Sequence, residues 1–224
     1  NLVNDRGIHI CKSMLAYKLY GMNKEPDKKP DHFVGDYYVL FAKKLEEDQS
    51  LESEALAMLG QWEKGDKDTL KLWKKMNGWA LDGFKETYEK FSITFDKVYF
   101  ESDFYKKGKA VVKAGLKKGI LKTDDEGAVY ADLEKFGLQN KVLLRPDGTS
   151  IYITQDLYLA KLKNTDYKFD RSIIVAGSEH NAHFKTLFKI FEILNYNFAK
   201  KCYHLSYGMI NLPTGRMKSR EGTV

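Results

Sequence analysis

A chain of 224 residues suits one domain of ordinary size, or one domain carrying an insertion. Hydrophobic residues at 43% and aromatic residues at 13% can fill a core, which excludes a disordered chain. The net charge of +6, from 37 basic and 31 acidic residues, is a mild bias toward polyanions and goes no further than that. Two cysteines, Cys11 and Cys202, make no disulfide framework and point to a reducing cytoplasm. No apolar run approaches the roughly 20 residues of a membrane span, and no signal peptide is visible. The sequence starts Asn-Leu-Val without Met and stops inside a basic stretch, so a piece of a longer protein is expected.

Residues 1–4 read as the end of a strand, and Asp5-Arg6-Gly7 as a tight connection. A helix follows over Ile8–Tyr20, with Ile8, Cys11, Leu15 and Leu19 on one stripe and Gly21 as its stop. Strand, tight turn and helix in that order begin a Rossmann-type unit. Asn23–Asp31 holds two prolines and many charges and reads as a loop. Helices are expected near Gly35–Asp48 and Ser50–Glu63, and a long third one from an Asp66 N-cap. The third carries an apolar stripe of Leu70, Trp73, Met76, Ala80, Phe84, Tyr88 and Phe91. Ile93–Phe100 alternates and reads as a strand. Phe104–Gly119 reads as a basic amphipathic helix. Short strands separated by turns fill Ile120–Arg145, with a tight turn at Asp147-Gly148. Thr154–Leu162 and Asn181–Leu194 read as helices, Ser172–Ala176 as a buried strand, and Cys202–Tyr207 as the last strand. Alternating β and α favours a parallel sheet. The expected fold class is therefore α/β, an incomplete Rossmann-type parallel sheet with a mainly helical insertion. Residues 1–24 with 93–224 form the catalytic part, and 25–92 form the insertion.

Four stretches carry chemistry. Tyr152 and Asp156 stand at i, i+4, so a helix puts phenol and carboxylate on one face, a good site for a cationic ligand. Gly177-Ser178-Glu179-His180-Asn181-Ala182-His183-Phe184 follows an apolar strand, which places it at the crevice of the sheet. Zinc at His180 and His183 would need His9, Cys11, Cys202 or His204, whose spacing is not that of common zinc sites. Glu101 ends a strand, and its two oxygens match a guanidinium fork. Asn4-Asp5-Arg6-Gly7 is consistent with ordinary turn chemistry. The stretch Tyr207–Val224 has Pro213 and Gly215 as breakers, then Arg216, Lys218 and Arg220 at alternating positions, with hydroxyls at Ser219 and Thr223. Such a loop suits a polyphosphate whose charge changes during a reaction. Neither a P-loop nor G-x-G-x-x-G occurs, which excludes those nucleotide folds. A basic RNA-binding module is the non-enzyme alternative, but most aromatics stand at core-periodic positions.

These stretches, in this order, resemble bacterial arginyl-tRNA synthetases, a family of class I aminoacyl-tRNA synthetases. The matching blocks are V-N-D-R-G-I-H-I-C-K-S-M-L-A-Y (Val3–Tyr17), D-H-F-V-G-D-Y-Y-V-L-F (Asp31–Phe41), F-D-K-V-Y-F-E-S (Phe95–Ser102), L-L-R-P-D-G-T-S-I-Y-I-T-Q-D (Leu143–Asp156), the segment around Glu179–Phe184, and S-Y-G-M-I-N-L-P-T-G-R-M-K-S-R-E-G-T-V (Ser206–Val224). The resemblance implies activation of arginine with ATP and Mg²⁺, then transfer of the arginyl group to tRNA(Arg). It implies a cytoplasmic enzyme, monomeric at full length, that binds no membrane and holds no tightly bound metal. Glu101, Tyr152 and Asp156 would hold the guanidinium of L-arginine, with His180 near the rest of that substrate. His183, Met217, Lys218 and Arg220 would contact ATP, and Lys218, Ser219 and Arg220 would act at the transition state. Another class I synthetase, such as the cysteinyl one, is disfavoured because Glu101 with Asp156 demands a cationic amino acid.

The chain departs from the family pattern in three ways. Its loop reads Arg216-Met217-Lys218-Ser219-Arg220 where the signature is K-M-S-K-S, so only Met217 matches in register. His180 stands where the family usually has Gln. The H-I-G-H signature does not occur in the 224 residues, so the piece is expected to be inactive alone.

Overall fold

A computed structural model describes residues 1–209, 211–213 and 215–217. The chain divides into two compact units, Asn1–Ser102 with Asn211–Val224, and Asp103–Ile210. Each is described by itself.

The first unit opens with β1 (Leu2–Val3) and, after Gly7, α1 (Ile8–Tyr20). Gly7 has φ +121°, a conformation that a side chain would strain, so the glycine lets the chain turn from strand into helix. Next come α2 (Pro30–Glu47), α3 (Ser50–Lys64) and α4 (Lys67–Lys90). Pro30 sits in the first turn of α2, where its missing N–H costs nothing. The helix therefore starts inside the stretch expected to be loop. Asp66 caps α4 by accepting from Thr69 N at 2.9 Å. One core joins α1 to the three helices after it, with Met14, Tyr17, Phe33, Phe41, Ala55 and Met76 at its centre. Residues 25–92 thus share a core with residues before 24.

The stripe of α4 leaves that core toward its C-terminal end. Met76 is buried, whereas Phe84 and Phe91 are exposed. The strand expected over Ile93–Phe100 shrinks to β2 (Tyr99–Phe100), parallel to β1 with Leu2 opposite Tyr99 and Val3 opposite Phe100. Only those two residues have a strand partner, because β1 is itself two residues long. A short helix, α5 (Glu101–Phe104), follows directly, so Glu101 opens a helix as well as ending a strand.

The second unit contains α6 (Lys107–Lys117) and an antiparallel sheet of β3 (Lys122–Thr123), β4 (Val129–Ala131) and β5 (Lys141–Leu144). Asp124 closes the β3–β4 turn by accepting from Ala128 N at 2.7 Å. Then come α7 (Tyr152–Tyr167), β6 (Ser172–Gly177), α8 (Asn181–Ile193) and β7 (Cys202–Tyr207). Val112, Leu121, Leu143, Ile153, Leu157, Leu187, Ile190 and Phe191 form one core. Burying each Leu, Ile or Phe contributes about 1.5–3 kcal/mol. Strands β6 and β7 pair in parallel over six residues each, from Ser172 opposite Cys202 to Gly177 opposite Tyr207. The strand expected to be buried is instead half-open. Ile173 and Val175 on β6, and Tyr203, Leu205 and Tyr207 on β7, are all exposed. In a two-stranded sheet α8 packs on one face, and these alternate residues point away from it. Back in the first unit, β8 (Asn211–Leu212) and β9 (Gly215–Arg216) form a small antiparallel pair.

Candidate active site

The first unit presents a buried carboxylate, Glu101, only 6% exposed. Burying a charge without partners is costly. Here Asn4 Nδ2 donates to Oε2 at 2.7 Å, and Arg6 Nη1 lies 3.5 Å from Oε1. Arg6 also reaches back through Nη2 to Glu63 Oε1 on α3 at 2.7 Å, and its guanidinium stands over the Trp62 ring at 5.2 Å. Asp5 anchors the same corner. Its carboxylate accepts from Ser102 N at 2.9 Å and Ser102 Oγ at 2.6 Å. Its backbone oxygen accepts from Trp73 Nε1 at 2.6 Å and Asn77 Nδ2 at 2.9 Å, both on α4. The Asn4-Asp5-Arg6-Gly7 stretch, which turn chemistry alone would explain, is therefore the frame that holds Glu101. The signal was present: three polar residues directly after a strand, with a carboxylate-bearing strand end able to pair beside it.

The second unit presents Asp156 on the second turn of α7. The start of α7 is fixed from two sides. Thr154 is buried, and its hydroxyl donates to the Leu143 carbonyl of β5 at 2.5 Å. Gly108 of α6 lies so close that an added Cβ would meet the Thr154 carbonyl oxygen at 2.5 Å. Asp156 then meets α8: its Oδ2 lies 2.9 Å from His183 Nε2. With the carboxylate accepting, the proton of the ring sits on Nε2. The side chains of both residues are 29% exposed, so solvent and ligand still reach them. Tyr152, one turn earlier on the same helical face, is 73% exposed.

Other expected site residues fall as follows. His180 ends a 3-10 turn, Ser178–His180, before α8; its side chain is exposed and Nε2 lies 3.8 Å from Glu179 Oε1. Glu179 folds back over Gly177, and its carboxylate fills the place of a Cβ there. The Phe184 ring meets His180 and His183 edge-to-face and, at 4.4 Å between ring centroids, His204 at a tilt. His204 Nε2 lies 3.1 Å from the Ala176 carbonyl. Among the described residues no three His, Cys, Asp or Glu side chains gather to hold a metal ion. Met217, just beyond β9, is exposed. Lys218, Ser219 and Arg220 lie outside the described residues. Within one unit the geometry thus joins Asp156 to His183, residues that sequence reasoning assigned to different substrates.

Comparison with known proteins identifies the family of the chain. The family described as tRNA synthetases class I (R), catalytic domain, matches residues 1–224. An arginine–tRNA ligase of Treponema denticola is 51% identical over 229 residues, covering 100% of this chain and 39% of its own length. One from Parabacteroides distasonis is 48% identical over 244 residues, covering 100% of this chain and 41% of its own. The chain spans about two fifths of the length of these curated relatives. A solved arginyl-tRNA synthetase from Plasmodium falciparum superposes with a TM-score of 0.69 over 93% of this chain and 35% of that one, at 18% identity. That likeness carries the fold: α/β, with the parallel pairs of a class I catalytic domain.

Proposed function

Because the chain belongs to the class I arginyl-tRNA synthetase catalytic-domain family, we propose that it supplies the arginine pocket and part of the ATP site of an arginine–tRNA ligase. The reaction couples arginine to ATP, releasing pyrophosphate, and passes the arginyl group to the 3′ end of tRNA(Arg). No covalent enzyme intermediate is required. Catalysis then rests on positioning and on stabilising phosphoryl charge. ATP enters with Mg²⁺ as substrate. In this reading Lys218, Ser219 and Arg220 act on its phosphates, and Met217 and His183 contact ATP. With tRNA as acceptor, the reaction runs in the cytoplasm, and the full-length enzyme acts as a monomer.

One observation carries the reading of the pocket. Two carboxylates are held ready by their neighbours, Glu101 by Asn4 and Arg6, and Asp156 by His183. A carboxylate oriented before binding loses less freedom when it meets a guanidinium fork. Tyr152, on the face of Asp156, offers its ring and hydroxyl to arginine, and in this reading His180 serves the substrate near its amino group. A carboxylate partner rejects neutral amino acids, and the planar fork sets arginine above lysine.

Aminoacylation by a full-length synthetase containing this chain tests the proposal. Arginine is expected to be charged, and lysine and citrulline are not. Asp156→Asn should raise the arginine KM about 10- to 100-fold, the value of a hydrogen bond to a charged group. An unchanged arginine KM removes Asp156 from the pocket. Equal charging of lysine or citrulline removes the guanidinium reading altogether.

A further inference from the structure

Some lysines of this chain meet carboxylates: Lys12 with Glu52, Lys24 with Asp27, Lys29 with Asp31, Lys44 with Glu47, and Lys122 with Asp132. Others, among the described residues, stand without one on several elements, and α6 with its flanks gathers the densest run of these. Residues 103–119 hold six lysines, 106, 107, 109, 113, 117 and 118, against the single acidic residue Asp103. Among the described residues none of the six pairs with a carboxylate within salt-bridge distance.

Their spacing makes a face. Gly108, Val112 and Gly115 are the buried residues of α6, and Gly108 and Gly115 let it seat closely against Thr154, Leu121 and Leu194. Lys106, Lys109, Lys113 and Lys117, at steps of three, four and four, lie on the side turned away from that seam. The stripe is about 16 Å long at 1.5 Å per residue. Its charges recur every 4.5–6 Å or so, the same order as the roughly 3.4 Å per strand of a nucleic-acid duplex. Like charges at i, i+4 destabilise a helix, so this arrangement carries a cost within α6 itself. Arg145 adds to the field: it acts with Lys109 on Asp147, whose carboxyl hydrogen bonds from Thr149 already hold below its ordinary range. The residues exposed between the lysines are Ala110 and Ala114, too small to anchor in a lipid surface.

We propose that the Lys106–Lys109–Lys113–Lys117 face of α6 docks the sugar–phosphate backbone of an RNA substrate. The identity of that RNA as tRNA rests on the function proposed above; the charge argument for the face does not. Contacts of this kind position without reading sequence.

The test uses a full-length synthetase containing this chain and the triple variant Lys109→Gln/Lys113→Gln/Lys117→Gln. A control variant, Lys24→Gln/Lys44→Gln/Lys122→Gln, removes the same charge from lysines that already hold carboxylates. Binding of tRNA is followed against salt, with a short RNA duplex as second probe. The α6 variant should bind tRNA at least tenfold more weakly near 0.1 M salt. Its slope of log affinity on log salt should shrink by about 2 to 3, near one per lost phosphate contact. The control should keep both values. The arginine KM and the kcat at saturating tRNA should not move, and the thermal midpoint should stay or rise slightly as the repulsion is relieved. A slope equal in the two variants overturns the proposal, as does a loss confined to kcat. If the parent charges no tRNA but the duplex still shows the slope difference, the function reading fails and the docking face stands.

Discussion

His183 Nε2 lies 2.9 Å from Asp156 Oδ2, tying the first turn of α8 to the second turn of α7. The carboxylate that the resemblance reserves for arginine therefore has a neighbour in the second unit itself. That contact fixes one oxygen and leaves the other for a ligand. A histidine in this place orients the Asp156 carboxylate.

His183→Asn separates this role from contact with ATP. Losing the ring should raise the arginine KM about tenfold, less than Asp156→Asn, because the carboxylate survives but is no longer oriented. If the ATP KM alone responds, the pair does not serve the arginine pocket. Initial rates at varied arginine and varied ATP distinguish the two.

In the first unit Arg6 does comparable work. It spans Glu101, on the strand end, and Glu63, on α3. Among the described residues, Arg6→Ala leaves Glu101 with Asn4 as its remaining side-chain donor and is expected to cost about 2 kcal/mol. That is below the 3–5 kcal/mol of a fully buried pair, since the Glu101 contact is long and Glu63 is half exposed. Arg6→Lys should not restore the loss, because a single ammonium does not reach both carboxylates as a fork does. Urea denaturation of the three proteins measures this; full rescue by lysine would show that charge alone matters.

Much of this was legible in the residues. The bounds of α1 and β7 match the reading residue for residue, and Asp66 caps α4 as its type and place suggest. Periodicity and turn residues are local, and local signals survive folding. What failed was long-range. The Ile93–Phe100 alternation looks like a strand, yet strand length depends on a partner only two residues long. Val175 and Ile173 read as core from their apolarity, but burial is decided by what lies over the sheet. The bond between His183 and Asp156, 27 positions apart, leaves no mark in either helix alone. Arg6 as a partner of Glu101 is 95 positions distant, and only the parallel pairing of β1 with β2 brings it there.

The open face of β6–β7 gives a prediction for the 224-residue chain as a preparation. Ile173, Val175, Tyr203, Leu205 and Tyr207 expose a contiguous apolar surface on a parallel sheet, a type usually covered on both faces. Surfaces of this kind bind apolar dyes and self-associate. The chain should enhance ANS fluorescence and sediment as larger species with rising concentration. Val175→Thr with Leu205→Thr should weaken both while leaving far-UV circular dichroism intact. Dye binding unchanged by the pair would place the sticky surface elsewhere.

The two thiols, one in each unit, fix a last expectation. Burial pushes Cys11 up to about 11, and Cys202 up to about 11, from an ordinary 9.0. A raised folded pKa means that the unfolded thiol ionises first. The stabilisation is complete below about pH 9 and is lost as pH climbs toward about 11. Tyr196, pushed up by burial to about 12, adds the same sign at higher pH. Lys163 opposes it: burial lowers its pKa, so losing that proton removes a cost as pH rises. The thiol share is isolated by comparing the parent with Cys11→Ala/Cys202→Ala. Between pH 9 and 11 the urea midpoint of the parent should fall more steeply than that of the variant, with equal slopes below pH 8.5. At pH 7.5 both thiols should react slowly with iodoacetamide, since the thiolate is the nucleophile and burial disfavours it. Faster labelling of Cys202 than of Cys11 would follow from its partial exposure, and equal rates would contradict the difference in burial between them.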